Sequence, residues 1–302
     1  MISNSETYLS EHKTLFMRTL SENESRSYEL FFKMICKYES FFNKDVLDFS
    51  RSQLIAMFED LNSTPSTFEQ RYRYLKKYFD GYGKKISVIE FGDLDVYQSV
   101  RRGSIRDYDE FLYIINKSFR PDELQTLDVI RKTCVILLYL GLSKSEVTEM
   151  LKSDVDETAG KITFGESRTV RSDIPSELLE VLKICKQMTQ YVNPLQSSER
   201  PKDLQQSEYL IRRDSSLGDS EKSPVLFIDK IFRSEIFATV DKDLTPTRVI
   251  ESGLYHWLIK QEKEKFDIKQ FRELLREYFN RDINKYQQYF QNYYSWKKAF
   301  DL

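Results

Sequence analysis

From Gln70 to Lys85 the chain reads QRYRYLKKYFDGYGKK, in which Arg71, Arg73, Lys76, Lys77, Lys84 and Lys85 stand against a single acid, Asp80. Cations held at fixed spacing on a rigid element can meet successive phosphates of a nucleic acid, and Arg or Gln side chains can reach base edges in a major groove. Phe68, Tyr72, Leu75 and Phe79 recur at helical spacing and predict a helix with that stripe inward. Arg73 and Lys77, one turn apart, then fall on the far side, with Lys76 beside them. The competing reading is a solvated helix face. Two smaller clusters follow, Arg101, Arg102 and Arg106, and then Arg168 with Arg171. The last pair lies in an expected hairpin, where residues three apart point to opposite faces, so a joint contact is disfavoured.

Other chemistries find little to work with. The histidines are His12 and His256, neither with a second ligand nearby in sequence, so no metal site and no cofactor are expected. Cys36, Cys134 and Cys185 are far apart and lack a CxxC spacing. An odd number without a signal peptide predicts reduced thiols in a cytosolic compartment. The longest apolar run, Cys134 to Leu140, is far below the roughly 18 residues of a membrane span, so no membrane partner is expected. A net charge of -2 over 302 residues does not mark a general polyanion binder; any DNA surface must be local.

The elements that would position these residues are mainly helices, since Gly and Pro are few. An amphipathic segment covers Tyr8 to Leu20. Ser25 is expected to cap a helix burying Tyr28, Phe31, Ile35, Tyr38 and Phe42, ended by Asn43-Lys44-Asp45. Ser50 caps a second, with Leu54, Met57, Phe58 and Leu61 inward, and Pro65 opens the third, which stops near Gly81 and Gly83. This gives a helical domain over 1–85 and a linker over 86–105. The remaining domain, 106–302, starts with a helix near Asp107 and a long apolar helix before Gly141. Lys161 to Phe164 and Thr169 to Ile174 form a hairpin around Gly165. Helix is expected from Pro175 to Tyr191, then an exposed, mobile polar loop over 192–223 containing Tyr209-Leu210-Ile211. Further helices follow at about 224–239, 246–262, 267–279 and 282–300.

The order in VIRKTCVILLYLGLSKSEVTEMLKSDVDETAGKITFGESRTVRSDIP, residues 129–175, resembles the catalytic domain of tyrosine recombinases, the phage integrase family. The resemblance implies a mainly α fold with a small β-hairpin sheet, comprising a helical, SAM-like core-binding domain and a tyrosine-recombinase-like catalytic-type domain. It also implies positions for the reaction. In the family a Gly-Leu-Arg turn supplies an arginine to the scissile phosphate; here Gly141 and Leu142 are followed by Ser143. Arg168 falls at the hairpin lysine. In Leu244-Thr245-Pro246-Thr247-Arg248-Val249-Ile250, Thr247 stands at a histidine and Ile250 at the second arginine, with Arg248 out of register. Glu277 falls at a further histidine, and Tyr286, or less readily Tyr289, at the nucleophile. Removing one preorganised donor from a developing oxyanion costs about 2.7 to 4 kcal/mol of barrier. Several are missing, so the chain is not expected to be an enzyme. With 19 tyrosines, Tyr286 reads first as a packing aromatic.

The resemblance extends to integrase-like lysogeny repressors of SPbeta-type temperate phages. It implies a sequence-specific binder of double-stranded DNA, a transcriptional repressor in the cytoplasm of a bacterial host, contacting DNA through Arg71, Arg73, Lys76, Lys77, Arg101, Arg102, Arg168, Arg171 and Arg248. Two alternatives stay open. One is a divergent recombinase cutting with Tyr286. The other is a protein-interaction module using the aromatic tail Tyr293, Tyr294, Trp296 and Phe300, which would serve a second copy of the chain or a regulatory protein or peptide.

Overall fold

Helix α1 (Glu11–Met17) is followed by α2 (Glu22–Phe42), which starts where Ser21 and Glu24 close a reciprocal capping box, four residues before the expected cap. Ser25 lies inside the helix with its N–H on the Ser21 carbonyl, because Glu24 stands three residues after Ser21 and completes the box there. Asn43 ends α2 in the left-handed conformation, φ 51°, which Asn tolerates better than most residues. Helix α3 (Arg51–Asp60) is capped by Ser50 with Gln53, and α4 (Pro65–Gly81) opens on its proline as expected.

This is a computed structural model that describes residues 11–61, 65–84, 97–120, 126–165, 168–172, 174–192, 200–212, 224–280 and 282–302. It divides into two units, Met1–Val100 and Arg101–Leu302.

In the first unit α2, α3 and α4 bury Tyr28, Phe31, Phe32, Ile35, Leu54, Met57, Phe58, Phe68, Leu75 and Phe79 around Phe16 of α1. Tyr72, Phe42 and Leu61, expected inward, are only partly buried. Tyr78 is fully buried instead, its hydroxyl 3.3 Å from Asp45 Oδ2. The Lys13 ammonium is buried against the Glu39 carboxylate, which also accepts the Val46 N–H at 3.0 Å. Burial raises the Glu39 carboxyl while Lys13 opposes the shift. Tyr8 and Lys85 lie outside the described residues, as do all of the expected linker residues before Tyr97. The rest of that linker includes helix α5 (Gln98–Gly103).

In the second unit Asp107 caps α6 (Tyr108–Ser118), and α7 (Leu127–Tyr139) is enclosed along its length except at Leu127 and Arg131. After α8 (Lys144–Glu149), β1 (Val155–Asp156), β2 (Lys161–Phe164) and β3 (Thr169–Arg171) form an antiparallel sheet, with Ile162 opposite both Val155 and Arg171. The helix expected to reach Tyr191 stops earlier: α9 (Ser176–Gln187) gives way to β4 (Gln190–Tyr191), paired with β5 (Lys202–Asp203).

The polar stretch expected as one exposed loop is anchored where it is described. Leu210 and Arg212 are buried, and Arg212 donates to the Cys185 and Lys186 carbonyls at the end of α9. Residues 193–199 and 213–223 lie outside the described residues. Helix α10 (Pro224–Arg233) ends before a 3-10 segment at Glu235–Val240, so the single helix expected there is broken. The remaining helices are α11 (Pro246–Gln261), α12 (Ile268–Phe279) and α13 (Tyr286–Ala299). Helix α11 packs on α7 at Gly253, where an added β-carbon would lie 1.8 Å from the Tyr139 carbonyl oxygen. No described helix is long and apolar enough to cross a membrane.

Candidate nucleic-acid interface

The cations of α4 divide into those with carboxylate partners and those without. Arg73 and Lys76 are exposed and have no carboxylate partner among the described residues; Arg73 Nε donates to the Glu69 carbonyl at 3.3 Å. Lys77 is paired with Glu24 of α2 at 2.7 Å. Arg71 turns inward and donates to the Leu61 carbonyl, while Lys84 meets Asp48. Between the start of α2 and α4 runs an open groove of about 370 Å³, flanked by Asn23, Glu24 and Ser27 on one side and Arg73, Tyr74 and Lys77 on the other. The Lys77 ammonium and then the Ser21 donors hold the Glu24 carboxyl down at about 2. It is therefore ionised at neutral pH.

In the second unit the Gly141 turn is built around Arg171. Its Nε donates to the Leu140 carbonyl at 3.1 Å and a terminal nitrogen to the Tyr278 carbonyl, with the guanidinium 4.1 Å from the Tyr278 ring centroid and 5.7 Å from that of Phe164. Leu140 caps the end of α7 and Tyr278 lies in the last turn of α12, so the cation sits at two helix C-termini, where partial negative charge favours it. Burial works against the charge, and Tyr278, Glu146 and Glu277 support it. Burial pushes the Tyr278 hydroxyl up to about 12, with Arg171 opposing. Gly141 has φ 100°, and a β-carbon there would meet the Tyr278 ring at 2.8 Å. Only glycine fits the turn. Tyr278 was not singled out by sequence; its hydrogen-bond partner is 107 residues away.

The other expected site residues are dispersed, several of them among structural tasks. Ser143 caps α8, its hydroxyl accepting the Glu146 N–H at 3.3 Å while Glu146 accepts the Ser143 N–H at 2.7 Å. Arg168 adopts φ 51° and pairs with Asp154 at 3.1 Å, so it does not join Arg171. Arg101 donates to the Ala299 carbonyl, Arg102 lies 3.2 Å from Asp243 and 3.4 Å from Asp241, and Arg106 pairs with Asp107. On α11, Thr247 is exposed, Arg248 lies against Gly103 and Ile250 packs on the core. Glu277 is exposed on α12. Tyr286 is partly buried at the start of α13, its ring centroid 5.1 Å from the Arg272 guanidinium.

The aromatic tail packs within its own unit. Trp296 donates to the Ile105 carbonyl at 3.0 Å, and Tyr293 and Lys297 both reach Glu262. His256 is buried, with Nε2 3.1 Å from the same Ile105 oxygen and Nδ1 2.5 Å from the Tyr139 hydroxyl. A carbonyl can only accept, so Nε2 carries the proton and Nδ1 takes the tyrosine's. Cys134 and Cys185 are buried thiols, Cys185 pushed by burial to about 11. Among the described residues no cluster of three or more His, Cys, Asp or Glu could hold a metal ion.

Comparison with known proteins bears on the first unit. Residues 7–80 match the family model described as MrpR, N-terminal core-binding domain. The matched segment takes in α1 to α3 and nearly all of α4. No curated protein matches the chain. Among solved structures it is similar to a XerA recombinase at 13% identity, covering 99% of this chain and 98% of that one with a TM-score of 0.42. It is also similar to a lambda integrase dimer bound to a COC' core site, at 15% identity, covering 93% and 75% with a TM-score of 0.38. A lambda integrase tetramer bound to a Holliday junction is similar at 16% identity, covering 90% and 76% with a TM-score of 0.33.

Proposed function

We propose that the chain binds chosen sites on double-stranded DNA without cutting them, as a repressor of the phage lysogeny type on a degenerate recombinase plan. The observation that carries this reading is a coincidence. The segment matching a core-binding domain model is the one whose α4 leaves Arg73 and Lys76 exposed without carboxylate partners among the described residues. In this reading 1–85 is the DNA-binding domain, 86–105 the linker and 106–302 the degenerate recombinase-like domain. Phosphate contacts position the protein and base contacts choose the site. Repression then needs occupancy alone.

Absence of cleavage is supported by what stands at the expected catalytic positions. Ser143 is occupied as a cap, Ile250 is packed, and Glu277 would place negative charge beside a phosphate. No cofactor is required, and the bacterial cytoplasm is where such DNA is met. The test is to select bound genomic fragments and then look for protein–DNA adducts that survive denaturation. A discrete, salt-sensitive site without an adduct agrees with this reading. An adduct abolished by Tyr286→Phe replaces it with a divergent recombinase, and no enriched DNA overturns it.

A further inference from the structure

Lys77 has an acid on its own helix, Asp80, at the spacing where local pairs form, yet its partner is Glu24, 53 residues away on α2. Glu24 is held from behind: its second oxygen takes the Ser21 N–H at 3.2 Å and the Ser21 hydroxyl at 2.9 Å, leaving the first to meet the ammonium at 2.7 Å. Both side chains remain about half exposed, 50% and 48%, so the pair stands in water at the mouth of the groove beside Arg73. A carboxylate fixed by a helix cap presents an anionic oxygen to Lys77 much as a phosphate would. Contacts of exposed ion pairs are weak enough to exchange.

Resting on the reading that α4 meets DNA, we propose that Glu24 is an internal stand-in for a DNA phosphate. It occupies Lys77 in the free protein and thereby limits how tightly the α4 face holds duplex DNA of arbitrary sequence. Phosphate contacts carry no sequence information, so one cation withheld weakens binding to every duplex about equally and is read most directly on DNA of arbitrary sequence, where phosphate contact is almost the whole of the binding.

Glu24→Gln isolates the charge, because Gln serves as well as Glu at the third position of a capping box and α2 keeps its start. The full chain, its fold checked by circular dichroism, is titrated with a short random-sequence duplex between 50 and 200 mM salt. The variant should bind more tightly at low salt and lose about 3.5-fold more affinity than the parent over that range, the effect of one further neutralised phosphate. Adding Lys77→Ala to Glu24→Gln should remove both gains. An unchanged salt slope in Glu24→Gln, or a gain that survives Lys77→Ala, overturns the proposal. Arg73→Ala with Lys76→Ala separates the failures: if that pair weakens binding while Glu24→Gln does nothing, only the role of Glu24 falls. If neither parent nor variants bind DNA, the DNA reading falls with it.

Discussion

Gly141, Arg171 and His256 each show a side chain, or its absence, set by close contacts to residues distant in sequence. At φ 100° and 2.8 Å from the Tyr278 ring, Gly141→Ala meets both backbone strain and a clash. A loss of about 2 to 4 kcal/mol is expected in urea unfolding. Arg171→Met keeps the stem but leaves the Leu140 and Tyr278 carbonyls without their donor, for an expected loss of about 1 to 3 kcal/mol. His256 has a folded pKa lowered chiefly by burial. The unfolded chain therefore binds the proton more readily. Stability should be intact above the ordinary histidine value of about 6.5 and decline as pH falls from there through the lowered folded value. Thermal melts between pH 7 and pH 5 should fall less steeply in His256→Gln than in the parent; equal slopes would exclude this histidine as a source of the acid sensitivity.

Among the helices, the legible starts were those with local signals. Ser50 and Pro65 could be read because cap and helix adjoin, and the spacing of Phe68, Leu75 and Phe79 revealed the inward face of α4. Ser21 was missed although its partner is three residues on, since Ser25 offers a rival cap nearer the apolar stripe. The partners of Lys77 and Arg171 could not be read, because pairings 53 and 107 residues apart leave no periodicity in the chain. The same held for α9, whose end depends on β4 finding β5. Ser143 belongs to this scale as well. Ser143→Arg would place at the turn the residue type that the recombinase resemblance implies there while deleting the cap of α8, so it should cost about 1 kcal/mol. On the proposed reading it should yield no covalent DNA adduct, since Thr247, Ile250 and Glu277 are unchanged. An adduct would show that a single missing arginine had silenced the site.

Across the chain, a net charge of -2 agrees with extensive pairing of cations to carboxylates, from Lys84–Asp48 to Lys297–Glu262. Composition alone therefore understated the local basic face on α4, which depends on which pairs fail to form. If Arg73 and Lys76 each neutralise one phosphate, replacing both by Ala should flatten the salt slope of duplex binding by about 1.8. A slope unchanged in the double variant would move the DNA surface elsewhere. The antiparallel pairing of Gln190 with Asp203 and Tyr191 with Lys202 has a practical consequence of its own. It fixes two chain positions side by side whatever separates them, and each doubling of the intervening length adds only about 0.6 kcal/mol of closure cost. Probes attached at the exposed positions Gln190 and Asp203 should thus stay side by side for as long as the second unit is folded and separate when it unfolds, giving a two-point reporter that leaves α9 untouched.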